Sequence, residues 1–567
     1  MQVSRGKLLL VAVFALALAV AWLYWNRPRR AEMATYVPAD CLAFVEVDDL
    51  VEVAGGIGSS EAWTKLAAPL GASSSLLSNR WFIRLARWTG IGSADAVLLA
   101  RSQLAVVFTG TEASQADTTL TIKPLTTLVI ETHTSQQRMR SVLENHIEEF
   151  ARSRYRQPSL VRKQIDGVDL VEWSTSSGSS LVTAFVDTIA IVGNYEASVV
   201  HCVNVRRGRL PSLGGNQQLE HLRKQVGATS LFGFLSKAGV KPVLTAWVLS
   251  RGGSDPNAPI AARIFADTFG NLVEGFACGS RFADGGVEDR CFLLVSEGVT
   301  DKLRGTLVPD NRADATDMAF VPANTESISV YRFRDVEGLW RDLNAVVSSH
   351  ADALGAIAAR PFLRSLFKPY GIDNPDAFVR SVGTRMETVR LEEGAASVLV
   401  TDAFDRQSLR ELAQQRLGPT AKTETVGDAE LMLSSSDNLA VCFTDNRFLM
   451  GTADAIRRCL QAQAQSKSLA SVDAYRRSQR LIDTSLPIIA LTFTDERRNA
   501  ISFVELFSTT ERSAFSTNAS SIDEASRSLP YAVSVTVLRE SGFEWSSRSA
   551  FGMFGSLALG FAPEKPR

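Results

Sequence analysis

Reactive side chains are scarce in this chain: 567 residues hold five histidines and six cysteines. There is no Cys-x-x-Cys, no His-Glu-x-x-His and no histidine pair at i, i+4, so the common zinc spacings and a disulfide scaffold are both missing. No Gly-x-Ser-x-Gly elbow, Walker A loop, dinucleotide fingerprint or EF-hand loop occurs either. Two stretches imitate such motifs. Gly55–Ser60 is glycine-rich but lacks the lysine that would reach a phosphate, and reads as a turn between helices. Ser365-Leu366-Phe367-Lys368 fits Ser-x-x-Lys without its companion motifs, and reads as an amphipathic helix. We therefore expect no catalytic, cofactor-binding or metal-binding residues, and a chain that is not an enzyme. Charge of either sign is not in excess: 60 basic residues face 61 acidic ones, for a net charge of −1, which argues against a nucleic-acid partner.

What is present is a repetition. Val37-Pro38-Ala39-Asp40 before the apolar run Leu42–Val47 returns as Val321-Pro322-Ala323-Asn324 before Ile328–Phe333, an offset of 284. Gly90–Ala96 returns as Gly371–Ala377 at 281, and the strand-then-helix unit Leu128–Ile147 returns as Val398–Leu417 at 270. Gly193 and Cys202 match Gly451 and Cys459, Ser212-Leu213 matches Ser468-Leu469, and Gly286 matches Gly542 at 256. Landmarks that keep their order while the offset only shrinks are what a duplication with later loop deletions leaves.

The reading along the chain is α+β. An N-terminal transmembrane helix is followed by two tandem homologous domains, each with antiparallel sheets and amphipathic helices. The boundaries expected are an anchor at 1–30, a first repeat at 36–297, a linker at 298–318, a second repeat at 319–555 and a tail at 556–567. Leu8–Trp25 is an apolar run of 18 residues flanked by Arg5, Lys7, Arg27, Arg29 and Arg30, about one hydrocarbon thickness as a helix. A cleaved signal peptide is the competing reading. Cleavage would leave Trp22-Leu23-Tyr24-Trp25 at the new terminus, so an uncleaved signal-anchor is favoured, with the bulk of the chain periplasmic and a single pass through the inner membrane.

Within the repeats, Met139, Val142, Leu143, Ile147 and Phe150 share one face of a helix over Ser135–Arg152. Asp166-Gly167 and Asp187 mark hairpin turns, and Asp284-Gly285 marks a third. A two-residue turn at Asp284-Gly285 sets Phe282 opposite Val287, Arg281 opposite Glu288, Phe276 opposite Leu293 and Cys278 opposite Cys291. A disulfide can form there; two neighbouring core thiols are the alternative. Cys202 and Cys459, matched between the repeats, read as small buried hydrophobes.

On Leu8–Trp25, the Val37–Val47 segment and the Ile191-Val192-Gly193-Asn194 strand end, the chain resembles a loosely defined group of uncharacterised bacterial membrane-anchored envelope proteins with a VPAD-type domain of unknown function. The resemblance implies a membrane-tethered extracytoplasmic protein and brings no site residues. The function expected is non-enzymatic binding or scaffolding in the cell envelope, with a protein or lipid partner. Alternatives are a carrier of a lipid or other hydrophobic ligand, or a hydrolase without a recognisable motif. A deep polar pocket with clustered titratable groups would favour the enzyme, an apolar cleft the carrier, and a shallow surface between the repeats the scaffold.

Overall fold

The computed structural model describes residues 30–69, 102–116, 119–155, 158–175, 178–252, 258–309, 318–350, 361, 363–391, 397–483, 485–510 and 519–560. The first half contributes β1 (Ala43–Val47), β2 (Gln103–Ala116), β3 (Thr119–Glu131), β4 (Ser159–Ile165), β5 (Val168–Ser174), β6 (Ser180–Val186), β7 (Ile189–Gly193), β8 (Leu231–Leu235), β9 (Val273–Ala283) and β10 (Gly286–Val295). The second contributes β11 (Thr325–Arg332), β12 (Val382–Leu391), β13 (Ser397–Ala403), β14 (Lys422–Val426), β15 (Ala429–Leu433), β16 (Leu439–Phe443), β17 (Arg447–Thr452), β18 (Ile488–Thr494), β19 (Ala532–Leu538) and β20 (Gly542–Ser549).

Every pairing is antiparallel. The pairings give one order across the first half, β4-β5-β6-β7-β3-β2-β1-β8-β9-β10. Across the second half the order is β20-β19-β18-β11-β12-β13-β17-β16-β15-β14. The two orders are mirror copies, joined where β10 pairs β20 from Val287↔Ser549 to Leu294↔Gly542. The edges, β4 and β14, are almost wholly exposed and carry Arg162, Lys163, Lys422 and Glu424, which discourages pairing with another chain.

This corrects the expected fold. The halves are not two domains with sheets of their own, because the closing strands β10 and β20 complete each other's hydrogen bonding and make, among the described residues, a single sheet of 20 strands. The membrane placement is corrected as well. Among the described residues no helix is long and apolar enough to cross a membrane, and Leu8–Trp25 lies outside them, so the signal-anchor and the single-pass periplasmic location are withdrawn. The landmark Gly90–Ala96 also lies outside the described residues.

The landmarks that repeat in the sequence touch one another. Pro38 bridges Ser212 and Pro322 bridges Ser468, while Leu213 N–H donates to Val37 O (2.8 Å) and Leu469 N–H to Val321 O (2.7 Å). Cys202 and Cys459 are fully buried in the helices Glu196–Arg206 and Ala453–Gln465 that cover one face of each half. Burial pushes both thiols up to about 12, as expected of inert core cysteines. Beneath these helices lie two cores, one around Phe44, Phe232, Phe234 and Phe292, the other around Tyr475, Phe493, Val533 and Val537.

The shortening of the second half is not confined to connections. The helix Gln136–Tyr155 has 20 residues and its counterpart Arg406–Leu417 has 12. β2 and β3 run 14 and 13 residues against 10 and 7 for β12 and β13. Nor is Gly55–Ser60 a turn. Gly55 and Gly56 lie in the helix Leu50–Ser59, and a Cβ on Gly56 would sit 2.2 Å from the Phe282 ring, so the glycine admits that packing.

Candidate functional site

The join of the two halves forms a groove of about 620 Å³ on the face covered elsewhere by the Glu196–Arg206 and Ala453–Gln465 helices. One wall is the end of the helix Gln217–Val226 with Gly227–Thr229, and the other is Leu481–Leu486, which follows the helix Asp473–Gln479. β9, β10, β20 and β19 make the floor. Gly279 on that floor lets the first wall close down, since a Cβ there would lie 2.2 Å from the Thr229 methyl.

Side chains alternate across a strand, so Glu288 and Arg290 of β10 point to the groove together with Glu544, Ser546 and Arg548 of β20. Glu288 accepts from Arg281 Nε at 2.8 Å and from Arg548 at 3.1 Å. Glu544 accepts from Arg539 Nε at 2.6 Å and pairs with Arg290 at 3.3 Å. Each sunken carboxylate thus gathers two guanidiniums. The Glu544 side chain is 12% exposed, whereas those of Arg281 and Arg290 are 63% and 55% exposed. A guanidinium has five N–H donors in a planar fork, so the exposed Arg281, Arg290 and Arg539 have donors beyond those used on their glutamates, whereas Arg548 also donates to Ala283 O and Asp284 O. Val226, Leu481, Ile482, Leu486, Val533 and Val535 make an apolar share of the lining comparable to the polar one.

Cys278 and Cys291 lie on the opposite face of the same strands. They are directly opposed, with Cα atoms 3.9 Å apart, and form a disulfide. Phe282 faces Val287, Arg281 faces Glu288 and Phe276 faces Leu293. Asp284 and Gly285 have φ of +45° and +77°, the left-handed pair that a type I′ turn requires. The Asp-Gly dipeptide is therefore the local cause of the register.

On this same face, next to the disulfide, lies a group of buried polar residues for which the sequence gave no motif. The Asp289 carboxylate accepts from Ser280 Oγ, from Ser547 Oγ (3.0 Å) and from Met553 N–H (2.9 Å) at the start of the helix Gly552–Gly560. Glu496, just before the helix Arg497–Thr510, accepts from Asn499 Nδ2 (3.2 Å) and is 3% exposed. Burial pushes Glu496 up to about 7; the charges of Asp495 and Asp289 add to this against the Asn499 hydrogen bond. Burial likewise raises Asp289, opposed by its three donors. Among the described residues no group of three or more His, Cys, Asp or Glu is placed to hold a metal ion.

The imitated motifs come to nothing structurally: Lys368 opens a short 3-10 turn, Lys368–Tyr370, and Gly55–Ser60 is helical up to Ser59. Arg281 and Glu288 were legible as a cross-strand pair; Arg290 and Arg548 were not, because their partners Glu544 and Glu288 lie on a strand about 250 positions away, and the local pair Arg539–Glu544, five residues apart across the β19–β20 turn, was missed. Compared with protein-family models, with curated proteins and with solved structures, the chain matches none.

Proposed function

We propose that the chain is a non-enzymatic binding protein whose groove at the β10–β20 join takes an anionic, acceptor-rich ligand bearing carboxylate or phosphate groups. The observation that carries this reading is that Arg281, Arg290 and Arg539, each exposed and anchored on a less exposed glutamate, line a cavity of ligand size. Binding is favoured over catalysis because Glu288 and Glu544 are each already engaged by two arginines. The buried acids Asp289 and Glu496 are on the other face of the sheet, beneath helices. The charged lining favours a polar ligand over the lipid of a hydrophobic carrier.

Titration calorimetry with tripolyphosphate and with a triglutamate peptide tests the reading and separates the two anion chemistries. Saturable binding of one of them is expected. It should weaken at least tenfold in Arg290→Ala/Arg539→Ala and fall steeply with salt, since half-exposed charges are screened. Failure of both probes, or affinity unchanged in the double variant, would refute it.

A further inference from the structure

The face of the sheet opposite the groove carries a row of hydroxyls. Thr388, Ser329, Thr492, Ser534 and Ser547 are successive partners on β12, β11, β18, β19 and β20. The row continues over the join as Asp289 and Ser280 on β10 and β9. It ends at Leu399 on one side and Leu231 on the other.

The first half shows that the scaffold does not need these hydroxyls. By the same pairing steps, Val106, Val45, Gly233, Cys278 and Cys291 occupy the places of Thr388, Ser329, Thr492, Ser534 and Ser547. Five positions that hold Val, Val, Gly, Cys and Cys in one half hold Ser or Thr in the other. Propensity alone does not explain this, since valine suits a strand as well as threonine and better than serine.

Four of the five hydroxyls in the row have a protein partner, Thr388 bonding Tyr370, and the free ones lie beside them. Ser329 and Thr492 bond each other at 2.9 Å, and Ser547 donates to Asp289. Ser534, and Ser327, Thr494 and Thr536 on the same face, are half-buried and have no protein hydrogen-bond partner on their side chains. Two residues along β11 and β20 from the row, and so on the same face, stand Tyr331 and Trp545, both partly exposed.

We propose that this face of β11, β18, β19 and β20 binds a neutral polyhydroxylated chain, an uncharged oligosaccharide. Serine and threonine hydroxyls both donate and accept, as sugar hydroxyls do, so the two sets satisfy each other without charge. The one acid in the row, Asp289, is saturated by Ser280, Ser547 and Met553. Adjacent strands present a hydroxyl about every 4.8 Å, close to the length of one pyranose ring. Tyr331 and Trp545 supply rings for stacking on the apolar faces of the sugar.

The test is titration of the chain with cellohexaose, maltohexaose and chitohexaose, followed by calorimetry and tryptophan emission. At least one should bind saturably and change the emission, and Trp545→Phe should abolish that change. Ser329→Val/Thr492→Val, which installs a valine found in the first half and an isostere of threonine, should fold with an unchanged melting temperature and bind at least tenfold more weakly. Arg290→Ala/Arg539→Ala should bind the oligosaccharide undiminished, so this proposal and the anion groove fail independently. No saturable binding of any of the three sugars, or equal affinity in Ser329→Val/Thr492→Val, overturns it.

Discussion

Glu496→Gln should make the protein more stable at alkaline pH and leave it unchanged at acid pH. Glu496 is 3% exposed, its side chain accepts from the neutral amide of Asn499, and Asp495 and Asp289 add negative charge around it. Its carboxyl sits at about 7 in the folded protein against an ordinary value of 4.5. The folded state therefore holds a proton that the unfolded chain has released between pH 4.5 and 7, and stability falls as pH rises through that window. At 1.36 kcal/mol per pH unit the loss from this group approaches about 3.4 kcal/mol, complete above pH 7 and absent below pH 4.5. Glutamine keeps the oxygen that accepts from Asn499 and cannot ionise. Urea unfolding at pH 4 and pH 8 measures the difference between the two proteins, in which the groups common to both cancel. The expected result is equal stability at pH 4 and a variant ahead by about 3 kcal/mol at pH 8. A gap that is the same at both pH values would refute the assignment of the buried charge to Glu496.

Three further outcomes follow from packing and cross-linking. Gly542→Ala places a Cβ 2.0 Å from Leu293 O at the join and should cost more than about 3 kcal/mol or prevent folding; Gly305→Ala, in the last turn of the helix Val299–Leu307 with nothing within 4 Å, should instead add about 0.5–1 kcal/mol, both read by denaturant midpoint. Cys278→Ser/Cys291→Ser removes a cross-link between residues 13 apart, which loop entropy values at about 3 kcal/mol; a midpoint indifferent to the double substitution would show that the bond contributes nothing to the fold.

What the sequence disclosed was local. The β9–β10 register could be read because the Asp284-Gly285 turn dictates it. The helix Gln136–Tyr155 could be read because Met139 and Leu143 keep one face buried. The Val-Pro-Ala and Ser-Leu landmarks could be matched because each pins the other in both halves. The join of β10 to β20 could not be read. Its partners lie about 250 positions apart, and nothing in Gly286–Val295 distinguishes an edge left for solvent from one awaiting another strand. The groove was hidden for the same reason, since two of its four arginine contacts cross that join. The helical state of Gly55 and Gly56 was hidden too, because tertiary fit under Phe282 overrides the low helix propensity of glycine.

The join has a cost in time. Synthesis runs from the N-terminus, so β10 is complete while its partner has still to be made: Gly542 follows Val295 by 542 − 295 = 247 positions. At roughly 5–20 residues per second the nascent first half waits about 10–50 s with a ten-residue edge unpaired. Any second nascent copy offers a strand that could take that place. Glu288, Asp289 and Arg290, three consecutive charges in the middle of the waiting strand, are what discourages the wrong partner until β20 arrives with Arg548, Ser547 and Ser546 to receive them.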